Sequence, residues 1–304
     1  MLKSGGARCP GCMGEQMTQS SASLRDFDWG ILRNMDNRPI GVFDSGLGGL
    51  TVLKEIINLL PGESAVYFGD SGRAPYGTKS RETVVKYTFQ NMRFLLNHDI
   101  KMVVIACNTM SAYGFRQVVK NFDIPIVEVI QPGAVTGARE TKNKKLGIIG
   151  TPATINSGAY GMAVNSIDNS IETLSKACPL FVPLVEEGWE WWENDIAFRI
   201  AEEYLTPLKQ SGVDTLILGC THYPLLQNTI SRVMGEGVKL VSSALETAKA
   251  VRKTIEDGNM QRDVLLKPVY RHYTSDSVEK FEPLCSTILG AEITSAERVD
   301  IEKY

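Results

Sequence analysis

Met102-Val103-Val104-Ile105-Ala106-Cys107-Asn108-Thr109 is an apolar run that ends in a cysteine and turns polar at once. Thr215-Leu216-Ile217-Leu218-Gly219-Cys220-Thr221-His222 repeats the pattern. Short apolar runs bounded by turn signals read as buried strands of a parallel sheet. Open α/β sheets bind ligands beyond the carboxyl ends of their strands. A thiol at each of two such ends can reach one ligand from two sides. That geometry suits removal of a proton from one face of a carbon and its return to the other.

The flanking sequence reads as the same fold. Ile40–Phe43 forms a short strand that runs into Asp44-Ser45-Gly46-Leu47-Gly48-Gly49. Leu50, Leu53, Ile56, Ile57 and Leu60 recur at helical spacing, and Pro61-Gly62 stops that helix. Ala65–Phe68 is a second strand, and a loop with Pro75-Tyr76-Gly77 leads to a helix over Arg81–Asn97. Strands are expected at Met102–Ala106 and Ile126–Ile130, with a helix around Ser111–Asn121 between them. Leu146–Ile149, Glu172–Ser175, Thr215–Leu218 and Val238–Val241 read as four more strands, with helices at Trp189–Lys209 and Ala244–Asp257. Strands alternating with helices imply an α/β protein with parallel sheets covered on both faces.

The order reads as an internal duplication. Asp44 precedes Cys107 by 63 positions (107 − 44), and Thr151 precedes Cys220 by 69 (220 − 151). Each half has a strand–turn–helix unit before a strand that ends in cysteine. Two pseudo-symmetric α/β domains facing each other would set the two thiols across one cleft. The expected division is 1–37 as a flexible extension, 38–131 with 242–304 as a discontinuous first domain, and 132–241 as the second. The extension is rich in Gly, Ser, Met and Gln, with one short helix expected around Ser23–Asn34.

Totals exclude several classes. A net charge of −3 over 304 residues leaves no basic footprint for nucleic acid. Six cysteines in a chain this long do not make a disulfide scaffold, and a reducing cytoplasm is expected. No apolar run approaches the roughly 20 residues that span a bilayer, so no membrane association is expected. The N-terminus lacks the apolar core of a secretory signal. Cys9-Pro-Gly-Cys12 has the CxxC spacing of a zinc knuckle but no second Cys or His pair, and no metal is assigned.

Around the two thiols stand polar candidates. Thiolates are potential bases whose acidity responds to a neighbouring imidazolium or helix N-terminus. His222, two residues past Cys220, can exchange a proton with that thiol or polarise a carboxylate. Asp44 ends its strand beside Ser45 and can bind an ammonium or tune Cys107. The glycines after it allow either an anion cradle or a plain turn; the Walker and dinucleotide spacings are absent. Asn108, Thr109 and Thr221 offer amide and hydroxyl donors, and Glu186 can hold His222 or orient an amine. Trp189, Trp191 and Trp192 fit either core packing or a subunit interface. His98 reads as a capping or surface residue, and His272 has no motif around it.

Together, Val42-Phe43-Asp44-Ser45-Gly46-Leu47-Gly48-Gly49, Asp70-Ser71-Gly72-Arg73-Ala74-Pro75-Tyr76-Gly77, Cys107-Asn108-Thr109, Gly150-Thr151-Pro152-Ala153-Thr154, Cys178-Pro179-Leu180 and Cys220-Thr221-His222-Tyr223-Pro224 strongly resemble the glutamate racemases. The resemblance runs from about Pro39 to about Ala250. It implies a two-thiol racemase of the aspartate/glutamate racemase superfamily that uses no cofactor and makes D-glutamate for peptidoglycan. By position, Cys107 matches the base acting on D-glutamate and Cys220 the base acting on L-glutamate. Asp44, Glu186 and His222 match the polar assistants. Ser45, Pro75, Tyr76, Gly77, Asn108, Thr109, Thr151 and Thr221, with Asp44 and His222, match the substrate-binding set. Cys178 matches a motif cysteine without a catalytic role. A homodimer is the expected assembly. An aspartate or hydantoin racemase, and a two-lobed binding protein without chemistry, are the competing readings.

Overall fold

A computed structural model describes residues 35–304. The expected helix at Ser23–Asn34 and the Cys9/Cys12 pair lie outside the described residues. The last residues of the expected flexible extension are bonded in place. Asp36 donates its N–H to the Gln261 carbonyl at 2.9 Å, and Asn37 accepts from the Asp263 N–H at 3.0 Å.

Among the described residues ten strands form two parallel sheets. They are β1 (Ile40–Asp44), β2 (Ala65–Gly69), β3 (Met102–Ile105), β4 (Ile126–Glu128), β5 (Lys145–Gly150), β6 (Glu172–Ala177), β7 (Thr215–Gly219), β8 (Lys239–Ser242), β9 (Tyr270–Thr274) and β10 (Ala296–Arg298). The first sheet has the order β10-β9-β2-β1-β3-β4 and the second β6-β5-β7-β8. The run β2-β1-β3-β4 therefore repeats as β6-β5-β7-β8. Cys107 follows β3 and Cys220 follows β7, the equivalent strands. The first sheet departs from the repeat only at its β2 edge, where β9 and β10 extend it.

Among the described residues eleven helices cover the sheets: α1 (Leu50–Leu59), α2 (Arg81–Leu96), α3 (Asn108–Asn121), α4 (Ile130–Glu140), α5 (Pro152–Asn156), α6 (Ala159–Ile167), α7 (Phe181–Glu186), α8 (Asp195–Gln210), α9 (Gln227–Met234), α10 (Ser243–Asp257) and α11 (Val278–Leu289). Successive strand side chains point to opposite faces. Val42 and Val104 bury against Leu53 of α1, Val251 of α10 and Phe281 of α11. Their neighbours Phe43 and Ile105 bury on the other face, against Phe94 of α2 and Met110 of α3. In the second sheet Ile149 and Leu218 meet Ala201 and Leu205 of α8, while Ile148 and Ile217 meet Ala134 of α4 and Tyr160 of α6. With both faces covered, the strands read as continuous apolar runs rather than alternating ones.

Several boundaries differ from the sequence expectation. The strand expected at Ile126–Ile130 ends at Glu128, whose carboxylate accepts the N–H groups of Ile130 and Gln131 at 2.6 and 2.7 Å. An anion at those free amides starts α4 instead. The third helix begins at Asn108, not Ser111, because the Cys107 carbonyl already accepts the Ser111 N–H at 2.9 Å. The helix expected over Trp189–Lys209 is two pieces. Gly188 at φ +115° leads into a 3-10 turn, Trp189–Trp191, and α8 starts only after Asn194 caps the Ala197 N–H at 2.9 Å. Trp191 and Trp192 pack on the core, whereas Trp189 is exposed. His98 follows α2 with its ring against Phe94 and Tyr273. His272 is buried on β9. Among the described residues no helix is long and apolar enough to cross a membrane.

Candidate active site

The carboxyl ends of β1, β3, β5 and β7 converge on a cavity of about 150 Å³. Cys107, at the N-terminus of α3, lines it from the first sheet; Cys220, just past β7, lines it from the second. Each side chain is 5% exposed, so water reaches neither sulfur freely. A groove of about 860 Å³ between α3, α4 and α6 is larger and more open, but it holds neither thiol.

The two sulfurs have different neighbours. The Cys107 thiol donates to Ser45 Oγ at 3.6 Å. Burial, and next the negative charge of Asp44, push this thiol up to about 12. Cys220 Sγ lies 3.8 Å from Nδ1 of His222, and the opposite ring nitrogen, Nε2, lies 3.1 Å from Glu186 Oε1. Burial by itself would lower His222, but its bonds to Cys220 and Glu186 prevail and hold the imidazole well above its ordinary range. The ring is thus a proton store set between a sulfur and a carboxylate.

Asp44 is fully buried at the end of β1. One carboxylate oxygen accepts the Gly46 N–H at 3.0 Å and the other accepts from Thr221 Oγ1 at 3.3 Å. Burial raises its pKa, against the pull of the His222 charge and the Gly49 and Gly46 amides. The glycines of this turn are needed for approach. A Cβ on Gly48 would strike the His222 ring and Thr221, and one on Gly49 would strike Asp44 itself. Thr51 adds a further bridge between the sheets, from its Oγ1 to the Thr221 carbonyl at 3.0 Å.

The remaining expected residues complete the wall. Pro75, Tyr76 and Gly77 line one side, and Gly77 lies so close to Thr151 that a Cβ there would clash. The Tyr76 hydroxyl points away from the cavity and donates to Asp70, which also binds Arg73 at 2.6 Å and Ser275 at 2.8 Å. What this loop offers a ligand is therefore its backbone. Thr109 shares its hydroxyl with Thr151 at 3.0 Å and Thr154 at 3.2 Å. Asn108 and Thr221 supply polar groups, and Pro152, Pro179 and Val182 an apolar side. Every residue the sequence marks for the site lines the cavity except Asp44, which lies behind it, bonded to the lining residue Thr221. Cys178 is buried against the Phe181 cluster, away from the cavity, its thiol pushed up by burial. Among the described residues no cluster of His, Cys, Asp or Glu is disposed to hold a metal.

Sequence reasoning missed the support behind the wall. Asp70 and Arg73 brace the Tyr76 loop, with the Asp-x-x-Arg spacing as the only local sign. Thr154 and Tyr160 bond to Thr109 and Asn108 from 45 and 52 positions away, and no local pattern marks either.

The sequence profile of the family described as Asp/Glu/Hydantoin racemase matches residues 40–251. The glutamate racemase of Geobacter metallireducens is 46% identical over 265 residues, which cover 87% of this chain and 97% of that protein. The crystal structure of glutamate racemase isoform RacE1 from Bacillus anthracis superposes with a TM-score of 0.84 at 40% identity, covering 87% of this chain and 98% of that one. That of the Francisella tularensis enzyme in complex with D-glutamate gives 0.82 at 38% identity, covering 89% and 100%. The chain belongs to the Asp/Glu/hydantoin racemase family, among its glutamate racemases.

Proposed function

We propose that this protein interconverts L- and D-glutamate without a cofactor, using Cys107 and Cys220 as paired proton carriers. The observation that carries the reading is the placement of two buried thiols, from equivalent strands of two sheets, on one small cavity. The relatives' shared name and the D-glutamate complex of the Francisella enzyme support the choice of substrate. The two sheets are then the cores of two domains, 38–131 with 242–304 and 132–241, with the site in the cleft between them.

In the L-to-D direction the Cys220 sulfur takes the α-proton. An S–H bond forms, and the electron pair of the broken C–H bond is left on the α-carbon and its carboxylate. The Cys107 S–H bond then breaks, and its proton adds to the opposite face. D-glutamate, a Cys220 thiol and a Cys107 thiolate result; once the product leaves, Cys220 gives its proton to water and Cys107 takes one from water, which restores the start. The raised pKa of Cys107 suits it to hold the proton until the carbanion forms. His222, backed by Glu186, supplies positive charge and a proton reserve beside the other sulfur. Thr109, Thr221, Asn108 and the Tyr76–Gly77 backbone hold the two carboxylates, and Ser45 holds the ammonium side, with the Asp44 carboxylate behind the wall. The activity would supply D-glutamate for peptidoglycan in the cytoplasm, from a homodimer.

Circular dichroism of either pure enantiomer, followed with purified protein alone, tests this. The signal should decay to that of the racemate, and in D₂O the α-position should exchange. Decay that requires pyridoxal phosphate, or decay with aspartate or a hydantoin and not with glutamate, would overturn it.

A further inference from the structure

Tyr160 is assigned no part in the site, yet it touches the approaches to both thiols. Its ring lies against the backbone of Gly219, where an added Cβ would come within 2.9 Å of Cε2. Gly219 immediately precedes Cys220. At the other end, the Tyr160 hydroxyl accepts from Asn108 Nδ2 at 2.7 Å. Asn108 immediately follows Cys107. One side chain therefore spans from the β7 turn to the start of α3, and so from one sheet to the other.

We propose that Tyr160 is a positioning residue for the racemisation, a strut that fixes the Asn108 amide and the spacing of the two thiol-bearing turns. The site is built for it. Tyr160 is 3% exposed and Asn108 2%, so water does not compete for the bond. The ring is clamped among Ile130, Ala134 and Ile217. Gly219 lacks the side chain that would hold the ring off. With Nδ2 held, the Asn108 oxygen is left without a partner among the described residues, while Asn108 lines the cavity. A buried amide with one end anchored presents its other end in a fixed plane.

The proposal rests on the racemase reading of the site, and two readouts separate them. Tyr160→Phe keeps the ring and removes the hydroxyl that meets Asn108 and, on its other side, Ser243; Asn108→Ala removes the Asn108 bond from the other end. Both, with the double variant, enter one cycle. On thermal unfolding, a readout independent of substrate, the two losses should not add. On racemisation, Tyr160→Phe should lose about tenfold in kcat/KM, the effect of one buried hydrogen bond. It should lose nothing further when added to Asn108→Ala. Wild-type kcat/KM for Tyr160→Phe, or losses that multiply, would overturn the strut. So would a Tyr160→Phe chain that cannot fold, since the hydroxyl would then serve folding rather than placement. A wild-type protein silent on glutamate would instead overturn the racemase reading, and the unfolding cycle would still decide whether the strut exists.

Discussion

Asp44 ends β1 of the first sheet, Thr221 lies two residues past β7 of the second, and the two share a hydrogen bond of 3.3 Å beside the cavity. Thr221 is the residue after Cys220, and the same carboxylate is, next to burial, what pushes Cys107 up. Asp44 therefore stands between the two thiols, although the repeat pattern had set it beside Cys107 alone. His222 is more one-sided: its two ring nitrogens face Cys220 and Glu186.

That difference predicts a skew in isotope effects. Two enantiomers have an equilibrium constant of one, so kcat/KM must fall equally in both directions for any variant. His222→Asn should make the Cys220 step limiting. The primary effect should then be larger with α-deuterated L-glutamate than with the D form. Asp44→Asn should lower kcat/KM with no such skew. Equal effects from both substrates in His222→Asn would contradict the pairing of His222 with Cys220.

Cys107→Ser and Cys220→Ser should each lower racemisation by at least about 100-fold, the scale of losing one positioned acid–base group. A hydroxyl fits each buried site but is too weak an acid to exchange protons near neutral pH. Far-UV circular dichroism should stay as in the wild type. Substantial racemisation by either variant would show that one base suffices.

The pH profile should carry the sign of the two raised groups. In the proposed mechanism Cys107 is the donor in its protonated form, and burial holds that form to about 12. An ordinary thiol would lose its proton near about 8.5. His222 is likewise held charged above its usual range. The profile of kcat/KM should therefore show no fall between about pH 6 and 7, where a free histidine titrates, nor near that thiol value. A descending limb at either position in initial-rate data would refute it.

Gly48→Ala should damage the site more than the fold. The new methyl strikes the His222 ring and the Thr221 hydroxyl. Overpacking of this kind costs about 1–3 kcal/mol. Misplacing a reacting group by an ångström costs about 100-fold in rate. Thermal unfolding should show a modest loss and kcat/KM a large one. A variant with full activity would mean that the ring has room to give.

How much of this was legible in the chain follows from the range of each contact. Val103–Ile105 and Leu216–Leu218 are buried on both faces, so their apolar runs announced parallel strands directly. The strand order repeated because each half carries the same local units. Strand β9, Tyr-Arg-His-Tyr-Thr, alternates little and lies toward an edge, and neither β9 nor β10 was separately legible. Boundaries were misplaced where the cap is unusual: α3 starts at Asn108, with Cys107 as its cap, rather than near Ser111, and the strand expected to reach Ile130 stops at Glu128. The Cys220–His222 pair lies two positions apart and could be read; Asn108–Tyr160 spans 52 and could not.

The repeated strand order has a consequence for how two mirror-image ligands can be served by unequal chemistry. Were the halves separate identical chains related by symmetry, both sulfurs would share one environment and one proton affinity. Any mutation that adjusted the donor would adjust the acceptor with it. Joined in a single polypeptide, the halves are free to diverge, and Ser45 meets one sulfur while His222 meets the other. Fusion makes the acidity of each carrier an independently heritable trait.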